Sequence, residues 1–180
     1  MPLCLKVCKL GCGSIEAPSR GEPKPGPLGP DFYCCEIINL HCGNTMKICL
    51  ASSCLLGLKT RYDGRIVHSD ACRKAITGAV CIPVCPEQLG GLPTPRVAAD
   101  LTGGDGHDVL AGHAKVFTRS GDDVTENFIL GARQVLEIAR QQDVTKVFLK
   151  AGSPSCGLSP NIGVTAALLQ KEGFDVVEME

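Results

Sequence analysis

Apolar runs of strand length recur along the second part of this chain, and stretches of helical character separate them. The first three runs cover 47–51, 79–84 and 144–150, and a fourth covers 174–177. Such runs, rich in Val and Ile and bounded by Gly, Pro and Ser, read as buried strands. Phe128, Ile129, Ala132, Val135, Leu136 and Ala139 recur at three- and four-residue steps. They predict a helix with one apolar face, capped by Asp123 or Thr125. A second amphipathic helix is expected over 162–172, stopped by Gly173, and a shorter one near 68–76. The segment 90–96 and the Gly-rich stretch 103–106 read as loops, and 110–118 as a short strand or hairpin. Strands alternating with helices predict an α/β fold, a small Rossmann-like parallel sheet with helices on both faces.

In such a sheet, right-handed crossovers bring the carboxyl ends of the first three strands to one edge. That edge is where α/β proteins bind ligands. A cysteine follows each of those strands: Cys54 in Ser52-Ser53-Cys54-Leu55, Cys85 in Val84-Cys85-Pro86-Glu87, and Cys156 in Ser153-Pro154-Ser155-Cys156-Gly157. Their wide separation in sequence is unlike the tight spacing of ferredoxins or zinc fingers, so the fold itself must assemble any shared site. Three thiolates suit an iron–sulfur cluster, zinc or copper(I). A site with three protein ligands keeps one coordination position open, as expected where a metal does chemistry. Cys49, Cys72 and Cys81 read instead as small buried hydrophobes.

The net charge of -1 gives no electrostatic reason to expect nucleic acid or a membrane surface as a partner. No apolar run approaches the roughly 20 residues that span a bilayer. The amino-terminal residues lack a secretory pattern, which leaves the cytoplasm as the expected location. There the twelve cysteines would stay mostly reduced and serve metal or catalytic roles. The Gly-rich stretches carry no Walker or dinucleotide fingerprint.

Residues 1–45 read differently. Gly21-Glu22-Pro23-Lys24-Pro25-Gly26-Pro27 alternates breakers of helix and strand, which predicts an unstructured extension. Cys4, Cys8 and Cys12 recur at four-residue steps, but Gly11 and Gly13 weaken any helix that would align them. Met46 stands immediately before the first strand, as a natural initiator would, so 1–45 is expected to be an extension or a misassigned start. The folded domain is expected to be 46–180.

Several longer motifs occur in order. They are Ser53-Cys54-Leu55-Leu56-Gly57, Arg61-Tyr62-Asp63-Gly64, Cys85-Pro86-Glu87-Gln88-Leu89-Gly90-Gly91-Leu92-Pro93-Thr94-Pro95-Arg96, Gly104-Asp105-Gly106-His107-Asp108 and Lys150-Ala151-Gly152-Ser153-Pro154-Ser155-Cys156-Gly157. In these, residues 46–180 resemble the family catalogued as domain of unknown function 523, which includes thiouracil desulfidase. The resemblance implies a 4Fe–4S cluster held by Cys54, Cys85 and Cys156. Its fourth iron would capture the sulfur of a thiolated pyrimidine or a related small molecule. It further implies an acid/base carboxylate at Glu87 and a catalytic serine at Ser153 or, failing that, Ser155.

The residues suit that chemistry. Replacing C=S by C=O needs a thiophile and a base for water, and Glu87 lies two residues beyond a candidate ligand. Ser155, Arg61, Arg96 and Lys150 are candidate substrate contacts, the cations for a carbonyl-bearing or anionic molecule. His68, His107 and His113 lack paired ligand spacing and read as bystanders. Two alternatives keep the same cysteines: a non-enzymatic cluster module that carries or senses sulfide, and a zinc-dependent hydrolase. A homo-oligomer is compatible with all three.

Overall fold

The computed structural model describes residues 46–180. The expectations for 1–45, including the extension, the misassigned start and the spacing of Cys4, Cys8 and Cys12, lie outside the described residues. The elements run β1 (Ile48–Ser52), a single 3-10 turn (Ser53–Leu55), α1 (Asp70–Ala75), β2 (Val80–Val84), α2 (Pro86–Leu89) and β3 (Ala99–Thr102). They continue as α3 (Gly106–Ala111), β4 (Lys115–Thr118), α4 (Thr125–Gln141), β5 (Lys146–Lys150), α5 (Val164–Lys171) and β6 (Asp175–Met179).

Four strands form one parallel sheet in the order β2-β1-β5-β6. The expected α/β fold is thus the observed one. β1 pairs on both sides, and its last four residues are buried, which is why its sequence is an uninterrupted small-apolar run. Leu50 points into a core built with Val135, Leu136 and Ala139 of α4 and Ala166 and Leu169 of α5. Cys49 and Ala51 point the other way, to Leu55, Phe148 and Cys72 of α1. Helices therefore cover both faces, as the period-two alternation of a strand requires.

The chain leaves β1 toward β2 on one side and returns to β5 on the other. That reversal makes β1 the topological switch point of the sheet. The register Ser52↔Val84 brings β1 and β2 to the edge together.

Four expectations need correction. The run 79–84 is an edge strand, not a buried one: Val80 is 41% exposed, and Pro83 has no N–H to give a further neighbour. The segment 110–118 is neither a hairpin nor one strand. It holds the end of α3, a left-handed turn at Gly112 (φ 79), and then β4. β4 pairs antiparallel with β3, a strand the sequence pattern did not announce. Third, α5 begins at Val164 rather than at 162, and ends where Gly173 turns left-handed (φ 85). Neither Asp123 nor Thr125 is the N-cap of α4: that position is Val124, which makes no side-chain cap bond, while Asp123 one residue earlier accepts the N–H of Thr125 at 3.0 Å.

α2 and α4 meet through glycine. A Cβ on Gly131 of α4 would overlap the carbonyl oxygen of Pro86, and one on Gly90 would overlap the carbonyl oxygen of Asn127. Asn127 Nδ2 also donates to the Gly90 carbonyl at 2.8 Å. The short helix beside Cys85 is thereby pinned backbone to backbone on the longest helix of the domain. Among the described residues, no helix is long and apolar enough to cross a membrane.

Candidate functional site

The three cysteines at the strand ends line one cavity of about 360 Å³. That volume is within the range of small-molecule sites. Cys54 sits in the 3-10 turn after β1, Cys85 at the cap of α2 after β2, and Cys156 in the loop after β5. The wall therefore draws on the central strand and on both strands that flank it. Glu87, Arg61, Arg96, Lys150 and Ser153 also line the cavity.

The thiols are near enough to feel one another. Burial lifts the Cys54 thiol above its ordinary range and Cys85 lifts it further, while Arg61 and Lys150 pull it down. Burial also raises Cys85, opposed by the backbone amide of Gln88. Cys156 is 5% exposed, and burial pushes its thiol up to about 12, with smaller contributions from Glu87, Cys54 and Cys85. Such thiols hold their protons until a cation displaces them. Cys85 Sγ meanwhile donates to the Thr60 carbonyl at 3.7 Å.

Glu87 and Arg96 form an ion pair, Nε to Oε2 at 2.6 Å, with side chains 16% and 6% exposed. Arg96 Nη1 is further tied to the carbonyls of Thr60 (3.1 Å) and Pro93 (3.2 Å) and to Thr94 Oγ1 (3.1 Å). Arg96 thus faces the carboxylate and the backbone rather than standing free for a ligand. Arg61 is held by both oxygens of Asp63 at 3.2 Å. Among the described residues Lys150 makes no ion pair, so it is the cavity cation without a carboxylate partner.

The two serines near Cys156 separate clearly. Ser153 Oγ accepts the N–H groups of Ser155 and Cys156, both at 3.2 Å, and lines the cavity. Ser155 is fully buried, bonds Thr165 Oγ1 at 2.9 Å, and is not among the lining residues. Cys49 and Cys72 are core residues, with Cys81 packed against them. Among the lining residues that the sequence patterns did not single out are Thr60 and Ser52. Thr60 Oγ1 is buried with no hydrogen-bond partner, and buried hydroxyls in native proteins nearly always find one. Ser52 bonds Cys156 Sγ. Neither residue carries a sequence signal, because the Ser52 hydroxyl and the Thr60 carbonyl meet partners brought by other strands and loops.

This lining fits a sulfur-ligated group. Its donors are soft thiols. Among the described residues, no three His, Cys, Asp or Glu side chains converge closely enough to share a single metal ion. One zinc would draw three sulfurs to within about 2.3 Å of a point. A cubane gives each thiolate its own iron, so its ligands stand farther apart. Three soft thiols on one cavity wall are a donor set that such a cluster takes.

Fold and site together define an α/β protein with a three-thiol cavity at its topological switch point. The chain belongs to the 2-thiouracil desulfurase family, whose model matches residues 49–180. The family resemblance seen in the sequence motifs is borne out. Over 140 residues it is 42% identical to the uncharacterized protein YbbK of Bacillus subtilis (strain 168), a match spanning 71% of this chain and 93% of YbbK. Its fold is similar to a solved structure of a 4Fe–4S-dependent thiouracil desulfidase, TudS, with a TM-score of 0.61 and 34% identity. That match covers 74% of this chain and 91% of the other.

Proposed function

We propose that this protein is a desulfidase that replaces the sulfur of a thiouracil-like base by oxygen. The carrying observation is the single cavity in which Cys54, Cys85, Cys156 and Glu87 meet. Cys54, Cys85 and Cys156 would hold a 4Fe–4S cluster, one thiolate to each of three irons. When bound, the cluster supplies a fourth iron with no protein ligand, a thiophile for the substrate sulfur.

The remaining work falls to the chain. The overall change is C=S plus water to C=O plus hydrogen sulfide. A C–O bond forms, the C–S bond breaks, both protons of water leave with sulfur, and no electrons are gained or lost. Arg96 holds Oε2 of Glu87, while Oε1 has no hydrogen bond among the described residues and is available to take a proton from water. Ser153 spends its oxygen on two amides, which leaves its proton to donate into the cavity. Lys150 offers positive charge to the carbonyl oxygen of the base as negative charge builds there. Free thiols at every described cysteine suit a reducing compartment such as the cytoplasm.

The test is anaerobic purification of the full chain, with iron and acid-labile sulfide measured, followed by sulfide release from 2-thiouracil. About four irons and four sulfides per chain are expected. Glu87→Gln should keep the cluster and lose turnover by about 10²- to 10⁴-fold. Zinc, or no metal after reconstitution, sinks the cluster. A loaded protein that never releases sulfide is a carrier or sensor, not an enzyme.

A further inference from the structure

Ser52 is the last residue of β1 and is 2% exposed. Its oxygen accepts the backbone N–H of Lys150, the last residue of β5, at 3.0 Å. Its own O–H points to Cys156 Sγ at 3.5 Å, an ordinary separation for the larger sulfur atom. A serine hydroxyl has one proton and two lone pairs. With a lone pair taken by the Lys150 amide, the hydroxyl is oriented and its proton goes to the sulfur.

The contact differs in kind from the one at Cys85. There the thiol is the donor and the Thr60 carbonyl the acceptor. A cysteine that ligates a metal does so as a thiolate, with no proton to give. The Cys85 contact therefore exists only in the metal-free protein. At Cys156 the donor is Ser52, so the bond survives loss of the thiol proton, and charge on sulfur makes it stronger.

Resting on the cluster reading above, we propose that Ser52 is a positioning residue for the third thiolate. Its O–H···S bond persists when Cys156 ligates, fixes the direction of Sγ, and draws negative charge off that sulfur. Hydrogen bonds to ligand sulfurs help to set the reduction potential of an iron–sulfur cluster. A donor on a thiolate stabilises the more negative, reduced state. The potential reports this bond even though the proposed reaction is not redox. A serine that merely tied β1 to β5 would affect melting and leave the potential alone.

The experiment compares the full-chain protein with Ser52→Ala and Ser52→Thr after anaerobic reconstitution. Iron and sulfide are measured first, then the cluster potential by redox titration followed by electron paramagnetic resonance, with thermal melting alongside. Equal iron content, a more negative potential in Ser52→Ala and recovery in Ser52→Thr are expected. A potential in Ser52→Ala equal to that of the wild type, even with lower melting, overturns the role of Ser52 and leaves the cluster standing. Failure of the wild type to load iron overturns the cluster itself, and this role with it. If Ser52→Ala does not fold, Ser52→Cys takes its place as a weaker donor of similar size. It should also shift to more negative potential, and no shift counts against the proposal.

Discussion

Arg96 Nε lies 2.6 Å from Glu87 Oε2, and the arginine side chain is 6% exposed. The same guanidinium holds the Thr60 carbonyl, to which Cys85 Sγ also donates. One buried cation therefore links the candidate base, the wall of the cavity and a candidate ligand. Removing one partner of a buried pair leaves the other charge uncompensated. Arg96→Ala should lower unfolding stability by about 3 kcal/mol, read by urea denaturation. Arg96→Lys keeps the charge and loses the planar fork. It should fold, load iron, and release sulfide about a hundredfold more slowly because Glu87 is displaced. Full activity in Arg96→Lys would show that orientation of Glu87 does not matter.

The six described cysteines should sort into two groups by metal content. Cys54→Ala, Cys85→Ala and Cys156→Ala each remove a wall thiol and should lose most of the bound iron. Cys49→Ala, Cys72→Ala and Cys81→Ala sit in or against the core under α1. They should keep full iron, and the buried Cys72 should cost about 1 kcal/mol of stability. Iron lost from Cys72→Ala with its melting unchanged would put a ligand where the structure has packing.

Gly131→Ala tests the junction of α2 and α4. The added methyl meets the Pro86 carbonyl, between Cys85 and Glu87. Overpacking of this kind costs about 1–3 kcal/mol, and here it pushes the candidate base Glu87 as well. Both melting temperature and sulfide release should fall. Leu130→Ala, one residue away and 47% exposed, should change stability by no more than about 0.5 kcal/mol.

Alkaline pH should weaken the metal-free protein. Burial raises the Cys156 thiol from the ordinary value of 9.0 to about 12, so the folded chain holds that proton more tightly than the unfolded one. The resulting stability is complete below pH 9 and is lost as pH rises through the folded value. Urea midpoints measured between pH 8 and 11 should fall, and they should fall less steeply in Cys156→Ala. Parallel slopes would assign the alkaline loss to other groups.

What the sequence revealed follows from what is local. The strands ending near 52, 84 and 150 are legible because short apolar runs stop at Ser, Cys-Pro and Gly, and their turns carry the three cysteines. β3 was hidden because Ala99–Thr102 is half exposed and only four residues long. α3 was hidden because it opens on Gly106. Its readable signal was the reciprocal cap of Asp105 and Asp108, each side chain bonding the other's backbone amide. Pro83 marked β2 as an edge, and the apolar run around it concealed that mark. Ser52 and Thr60 could not be found by pattern. Ser52 reaches Lys150 and Cys156 only because β1 and β5 are neighbours, and Thr60 gains its importance from Cys85 and Arg96.

Because β1 is the centre of a sheet that reverses direction around it, the cavity needs three strands that are far apart in the chain. Cys54 and Cys85 can face each other once β1 and β2 pair, but Cys156 arrives only after β5 has docked on the opposite side. The third thiol joins the others only once β5 has paired with β1. The three-thiol wall is thereby a product of the finished sheet, and a copy in which β5 has not docked lacks it.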